Sequence, residues 1–353
     1  MVYFVQQTLI FCIPLMIVAL AGVFAERSGI INIALEGIMV FGAFIGVFFV
    51  WLFLKAGFPP ENGQLLLIMV IIITMIFGGL FSLLLAYASI NLKADQTIGG
   101  TALNLLAPAL VLFLILIISK QNVFFIDSKY SSADLFMLFQ EDFGLGTKLQ
   151  NPLGTIGNIL FNKVYLTTVY AIVIYIVLSV ILYKTKFGLH LRSCGEHPQA
   201  ADSLGINVYK MRYIGTVISG CLAAFGGFIY ALTAAGCSSN GDVAGLGFLA
   251  LAVMIFGNWK PIQIALAALL FGALKCISVG YPYIDFNNDG VYALSKLGIS
   301  SHVYRILPYV ITLIVLAFTS KKSRAPNAEG QPYDKGKRLI KRISLQISKE
   351  ILI

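Results

Sequence analysis

KFGLHLRSCGEHPQAADSLGINVYKMR, residues 186–212, is a polar and basic island between two long apolar runs. It carries Lys186, Arg192, Lys210 and Arg212, the charges expected of a cytoplasmic loop between membrane spans. Its middle has the grammar of a short helix. Glu196, His197 and Pro198 stand at the entrance, residues 199–204 form the body, and Gly205 marks the stop. Proline fits a first turn, where its missing N–H would have had no partner, and glycine suits the C-terminal exit. The island is therefore expected to present a small rigid helix on the cytoplasmic side, suited to receiving force from a soluble partner.

The flanking sequence sets the class. The chain is 58% hydrophobic and 12% charged, with a mean hydropathy of +0.87, far more apolar than a soluble domain. Near-continuous runs of about 20 apolar residues match helices crossing a hydrocarbon core about 30 Å thick, whereas a membrane barrel would show short alternating segments. The expectation is an all-α polytopic membrane protein with about 8–10 transmembrane or half-spanning helices. The net charge of +9 is concentrated in the last 33 residues, beside a span. Such charge is explained by topology and anionic lipid, and nucleic acid is not expected as a partner. The five cysteines (12, 194, 221, 237, 276) are scattered, with no CxxC pair, and read as packing residues. His190, His197 and His302 are too dispersed for a metal site.

Spans are expected at about 8–24, 37–54, 65–90, 98–119, 164–183, 211–235, 262–280 and 305–319, with 246–256 as a half-spanning or re-entrant helix. The first lacks the charged start and small-residue cleavage site of a signal peptide and reads as retained. Within 25–44, Glu26, Arg27, Asn32 and Glu36 punctuate an apolar background. A charge at mid-bilayer costs about 3 kcal/mol on insertion scales, so this segment reads as a turn or broken helix facing protein or water. Pro108 and Asn104 make the fourth span a candidate broken, pathway-lining helix. Gly215, Ser219-Gly220 and Gly226-Gly227 suit close helix packing. Lys275, inside a span, either snorkels or finds a partner. Residues 1–320 form the membrane domain, with a coupling loop at 185–212 and an external loop at 120–163; 321–353 form a basic cytoplasmic tail whose end, 339–353, reads as a surface helix.

With 246–257 counted as part of a crossing, 17 of the 25 Lys and Arg residues fall on the side of the island and seven on the other, with Lys275 inside a span. That bias predicts an N-out, C-in chain.

Four phrases in order then carry a resemblance: FAERSGIINIALEGIMVFGAF (24–44), KADQTIGGTALNLLA (93–107), GLHLRSCGEHPQAADSLGINVYKMRYIGTVISG (188–220) and GFLALAVMIFGNWKP (247–261). With the tail phrase APNAEGQPYDKGKR (325–338), the chain resembles, from about residue 8 to Arg338, the permease subunit of bacterial ABC importers for nucleosides, within the ribose, simple-sugar and branched-chain amino-acid permease superfamily. The resemblance implies a multi-pass protein of the bacterial cytoplasmic membrane. It would work with a second, related permease subunit, two ATPase subunits that bind ATP and Mg, and a substrate-binding lipoprotein or periplasmic protein. Gln199-Ala200-Ala201 followed by Gly205 partly matches the E-A-A-x-x-x-G coupling pattern, with Gln where Glu is usual.

On this reading Arg192, Gly195, Glu196, His197, Pro198, Ala200, Ala201, Asp202 and Gly205 couple the chain to its ATPase. Asn32, Glu36, Gln96, Thr97 and Asn104 are the substrate-pathway candidates. Capping explains Gln96, Thr97 and Asn104 as well as substrate contact does, and Asn32 and Glu36 equally fit a role in satisfying broken-helix backbone. With no G-x-x-x-x-G-K-[ST] loop, no ATPase site or cofactor is expected in the chain itself. An ion-coupled transporter would need buried carboxylates or lysines, for which only Glu36 and Lys275 are available. An integral membrane enzyme would need a nucleophile–base pair or HExxH, and neither is found. Ribose or another simple sugar remains the alternative cargo.

Overall fold

The computed structural model describes residues 2–59, 62–126, 136–138, 164–281, 300–319 and 324–335. Most of the external loop at 120–163 and all of 339–353 lie outside the described residues. Seven helices are long and apolar enough to span: α1 (Val2–Arg27), α2 (Leu35–Lys55), α3 (Gly63–Ile90), α4 (Gln96–Ser119), α5 (Leu166–Lys184), α8 (Val208–Thr233) and α10 (Pro261–Gly280). Between α5 and α8 the polar island folds as α6 (Lys186–Glu196) and α7 (Pro198–Ser203). A half-length helix, α9 (Leu246–Phe256), precedes α10, and α11 (Ser301–Thr319) closes the described bundle. The only described sheet consists of two-residue pairs, β1 (Phe124–Phe125) with β4 (Ser238–Ser239) and β2 (Met137–Leu138) with β3 (Val164–Tyr165). The chain is an all-α polytopic membrane protein.

Helix α8 is the axis on which α1, α2 and α3 pack. Its small residues let backbones approach where side chains would separate them. A Cβ on Gly227 would fall 2.0 Å from the Met39 carbonyl oxygen, and one on Gly220 would fall 2.3 Å from the Ser82 side chain. Lipid supplies no hydrophobic drive for helix association, so this close fit is what holds the bundle together. The small-residue pattern thus packs as the sequence suggested. Helices α4 and α5 are instead peripheral and show broad apolar faces, including Leu105, Phe113, Val173 and Ile176. α4 runs continuously through Pro108, so the expected break in that span does not occur. The irregular backbone lies in residues 28–34, between α1 and α2.

The sides of the bundle follow from contacts between helix ends. The β1–β4 pair puts the exits of α4 and α8 on one face. Trp259, just past α9, donates its indole N–H to Glu26 at the end of α1, and Tyr183 at the end of α5 donates to the Trp259 carbonyl. That is the opposite face. The chain therefore crosses between Ser239 and Trp259, although α9 has only 11 residues and spans about 16 Å. An irregular leg at 240–245 supplies the rest, and such backbone is tolerated at membrane depth only against protein or a water-filled cavity. The crossing required by the charge bias is thus made by a half-helix and a descending loop together.

Candidate functional site

Both irregular legs meet at Glu36. Its Oε1 accepts from the Gly245 N–H (3.1 Å), and its Oε2 accepts from those of Gly247 (2.6 Å) and Phe248 (3.2 Å). The carboxylate therefore caps the amino end of α9, where free N–H groups and the helix dipole favour negative charge. Gly247 permits the approach, since a Cβ there would lie 2.5 Å from Glu36 Cα. On the acceptor side, Lys275 Nζ donates to the Ala244 carbonyl at 2.9 Å and Tyr309 Oη to the same oxygen at 3.4 Å. Lys275 is buried and turned inward, so it finds a partner and does not snorkel. A carboxylate from one side and an ammonium from the other thus pin the descending loop.

The first leg is held by one face of α4. Gln96 Oε1 accepts from the Ile31 N–H (2.7 Å), Asn104 Oδ1 accepts from the Gly37 N–H (2.8 Å), and Asn104 Nδ2 donates to the Ile33 carbonyl (2.9 Å). Positions 96, 100 and 104 are successive turns of one helical face, with Gly100 between them letting Ile33 lie flat against the helix. Asn32 lies beneath, its Nδ2 donating to Ser219 Oγ at 2.8 Å and its buried Oδ1 without a partner among the described residues. Thr97 points away and is exposed; its N–H is capped by Asp95, whose carboxyl the Thr97 and Ile98 amides hold below the ordinary aspartate value. Asn32, Glu36, Gln96 and Asn104 therefore come together around broken backbone, while Thr97 engages Asp95.

Replacing Asn104 with leucine removes both bonds to this leg and leaves Ile33 and Gly37 unsatisfied, at about 1–3 kcal/mol each. Membrane-inserted Asn104→Leu is expected to lose at least tenfold in uptake and to melt lower in detergent than Asn104→Gln. Equal melting of the two would contradict this role.

In the polar loop, α7 begins with Pro198 and stops at Gly205, whose φ is +84°. His197, Gln199, Ala200, Ser203 and Leu204 are exposed; Leu204 is 82% exposed. Ala201 faces inward and is buried. Other candidates are tied within the chain. Arg192 folds back onto the Gly188 carbonyl and the Tyr183 ring. Glu196 pairs with Arg27 at 3.1 Å and accepts from Asn327 Nδ2, also at 3.1 Å. The Gly195 carbonyl accepts from the Ala328 N–H, and Asp202 lies 4.0 Å from Lys335. The outward surface of α7 thus presents Gln199, Ala200, Ser203 and Leu204, none of them charged, on a base made by α6 and residues 324–335.

This arrangement has counterparts of known description. The family model for the permease component of branched-chain amino acid transport systems matches residues 4–316. The chain belongs to that permease family. It is 40% identical over 336 residues to the guanosine ABC transporter permease protein NupQ of Bacillus subtilis, covering 95% of this chain and 97% of that protein. It is also 40% identical over 333 residues to the nucleoside ABC transporter permease protein NupC of Lactococcus lactis, covering 94% and 97%. A second Lactococcus lactis nucleoside permease, NupB, is 26% identical over 79% of this chain and 71% of its own length. No solved structure matches the chain.

Nothing local in the sequence of the permease indicated how residues 324–335 cover the face of the bundle that carries Trp259. Residues 324–335 form a strap. The Arg324 N–H donates to Asn258, Arg212 Nη1 donates to the Gln331 carbonyl at 2.8 Å, Tyr333 packs edge-on against Tyr209, and Asp334 pairs with Lys93 at 2.9 Å. Below the strap, a hollow of about 310 Å³ is lined by Ile31, Lys93, Gln96, Thr97 and Gly330. The resemblance of 325–338 was the only signal for this segment, because single polar residues in a basic tail show no periodicity.

Docking of the strap is expected to depend on pH through Glu329. Burial pushes its carboxyl from an ordinary 4.5 up to about 7, against the pull of Arg27, and its Oε2 is buried without a partner among the described residues. Among the described residues, the charged groups facing it are Arg27 and Glu26. A raised acid favours the docked strap while it is protonated, so this contribution is complete below about pH 4.5 and is lost as pH rises through about 7. Amide exchange of 324–335, corrected for intrinsic rate, is expected to rise several-fold between pH 5.5 and 8, and to stay level in Glu329→Gln. The same rise in both proteins would contradict the assignment.

Proposed function

We propose that this permease carries nucleosides across the bacterial cytoplasmic membrane as one of two related permease subunits of an ATP-driven importer. The orientation is N-out and C-in. The observation that carries the cargo assignment is 40% identity along nearly the whole chain to two proteins described as guanosine and nucleoside permeases. The pairing is supported by the two nucleoside permeases, NupC and NupB, found in one Lactococcus strain. ATP and Mg would be bound by two separate ATPase subunits docked under α7, and a lipoprotein or periplasmic binding protein would deliver cargo to the outer face.

Alternating access has a physical basis in this bundle. Force on α7 passes through α6 and Glu196 to Arg27, at the end of α1, and from there to the two broken legs. Small changes there repack close-fitting helices between discrete arrangements. The test of cargo is uptake of radiolabelled guanosine by cells with and without the chain, competed with uridine, ribose or leucine. The proposal expects uptake that depends on the chain and falls with excess uridine but not with ribose or leucine. Competition by ribose alone would replace the nucleoside with a sugar.

A further inference from the structure

The descending leg exposes a carboxylate at a depth where lipid would not tolerate one. Gly241 lies against Leu112 and the Pro108 carbonyl, and Ala244 lies against Lys275. Counted at 1.5 Å per residue from the inner ends of α4 and α10, these contacts lie about 20 Å above the inner face, within a hydrocarbon layer about 30 Å thick. Asp242, between them, is exposed. Its Oδ1 accepts from the Ala244 N–H at 2.9 Å, and among the described residues no hydrogen bond engages Oδ2. Exposed ionisable groups at such depth face water or a functional partner, because hydrocarbon leaves them unsatisfied.

The surroundings restrict what that partner is. Phe248, in the first turn of α9, and Tyr309 on α11 are both exposed large rings, and the Tyr309 hydroxyl reaches the Ala244 carbonyl beside Asp242. The turn carrying Asp242 is immobilised from both sides, by Glu36 through its N–H groups and by Lys275 through its carbonyl. A fixed carboxylate is an acceptor-only group; the Tyr309 ring stands beside its turn, and Phe248 is exposed on the adjoining α9. Together they complement a neutral ligand with hydroxyl or N–H donors beside a planar ring. Acyl chains, the lipid present at this depth, have no such donors, and an acidic ligand would be repelled.

We infer that Asp242, with Phe248 and Tyr309, forms a nucleoside-contacting subsite on the translocation path, the carboxylate taking ribose hydroxyl or base N–H donors and the rings taking the base. This rests on the nucleoside reading above. The assembled importer in native membranes tests it by thiol labelling. Asn240→Cys, on the same exposed turn but outside the proposed contacts, is expected in right-side-out or inside-out vesicles to react with a membrane-impermeant charged methanethiosulfonate; saturating guanosine is expected to slow the reaction at least fivefold, and adding Asp242→Asn is expected to remove that protection. The same reagent is expected to leave Val173→Cys, on the exposed apolar face of α5, unmodified.

If Asn240→Cys is not made, Ala244→Cys, whose backbone alone makes the contacts described, carries the same test. No labelling from either side overturns the inference, because the face is then covered by lipid or protein. Labelling that guanosine does not slow, in an importer whose parent takes up guanosine, overturns the subsite alone. A parent that takes up no nucleoside overturns the cargo reading, and the subsite falls with it.

Discussion

Glu36→Leu is expected to abolish uptake, at least a hundredfold per inserted molecule, whereas Glu36→Gln keeps insertion and loses about tenfold. Three N–H groups at the start of α9 depend on this one carboxylate. Leucine leaves them unsatisfied at membrane depth, at about 1–3 kcal/mol each, and removes the charge that a helix amino terminus favours. Glutamine restores one acceptor oxygen without the charge, hence the intermediate loss. Guanosine uptake normalised to membrane-inserted protein is the measurement. Uptake by Glu36→Leu close to the parent's would show that the half-helix does not need its cap.

The second large effect separates two adjacent alanines. Ala200 is on the outward surface of α7, while Ala201 is 2% exposed and packed into the base of the loop. Ala200→Trp is expected to insert normally, to lose at least fiftyfold in uptake and to lose co-purification with its ATPase. Ala201→Trp is expected to fail earlier, with little folded protein in the membrane, because overpacking a full site forces its neighbours apart. Sequence alone treats the two as equivalent docking residues. Ala200→Trp with normal uptake would remove α7 from the coupling role.

What the sequence revealed depended on the kind of signal. Long apolar runs located the spans to within a few residues, and Pro198 and Gly205 bounded α7 because their backbone preferences are local. The 11-residue run at 246–256 appeared at full length as a half-helix, and the charge bias required its crossing. Pro108 misled in the other direction. A proline inside a span is compatible with a continuous helix, and the backbone broke at 28–34, where Asn32 and Glu36 supplied the clue. The pathway candidates were identified by polarity in an apolar context, but their partners were not legible. Ser219, Lys275 and Tyr309 are separated from Asn32 and Ala244 by 31 to 187 positions, and no local pattern encodes such pairings. The strap was hidden for the same reason, since its contacts run from the tail to four separate turns of the inner face.

The measurement that tests the coupling account most directly is radiolabelled guanosine uptake in cells that keep this chain but carry a catalytically dead form of its ATPase. Loss of uptake in those cells, matching the loss when the chain is deleted, is the predicted result. Uptake that requires the chain yet survives the dead ATPase would contradict it and turn Glu36 and Lys275 into the charges of an ion-coupled carrier.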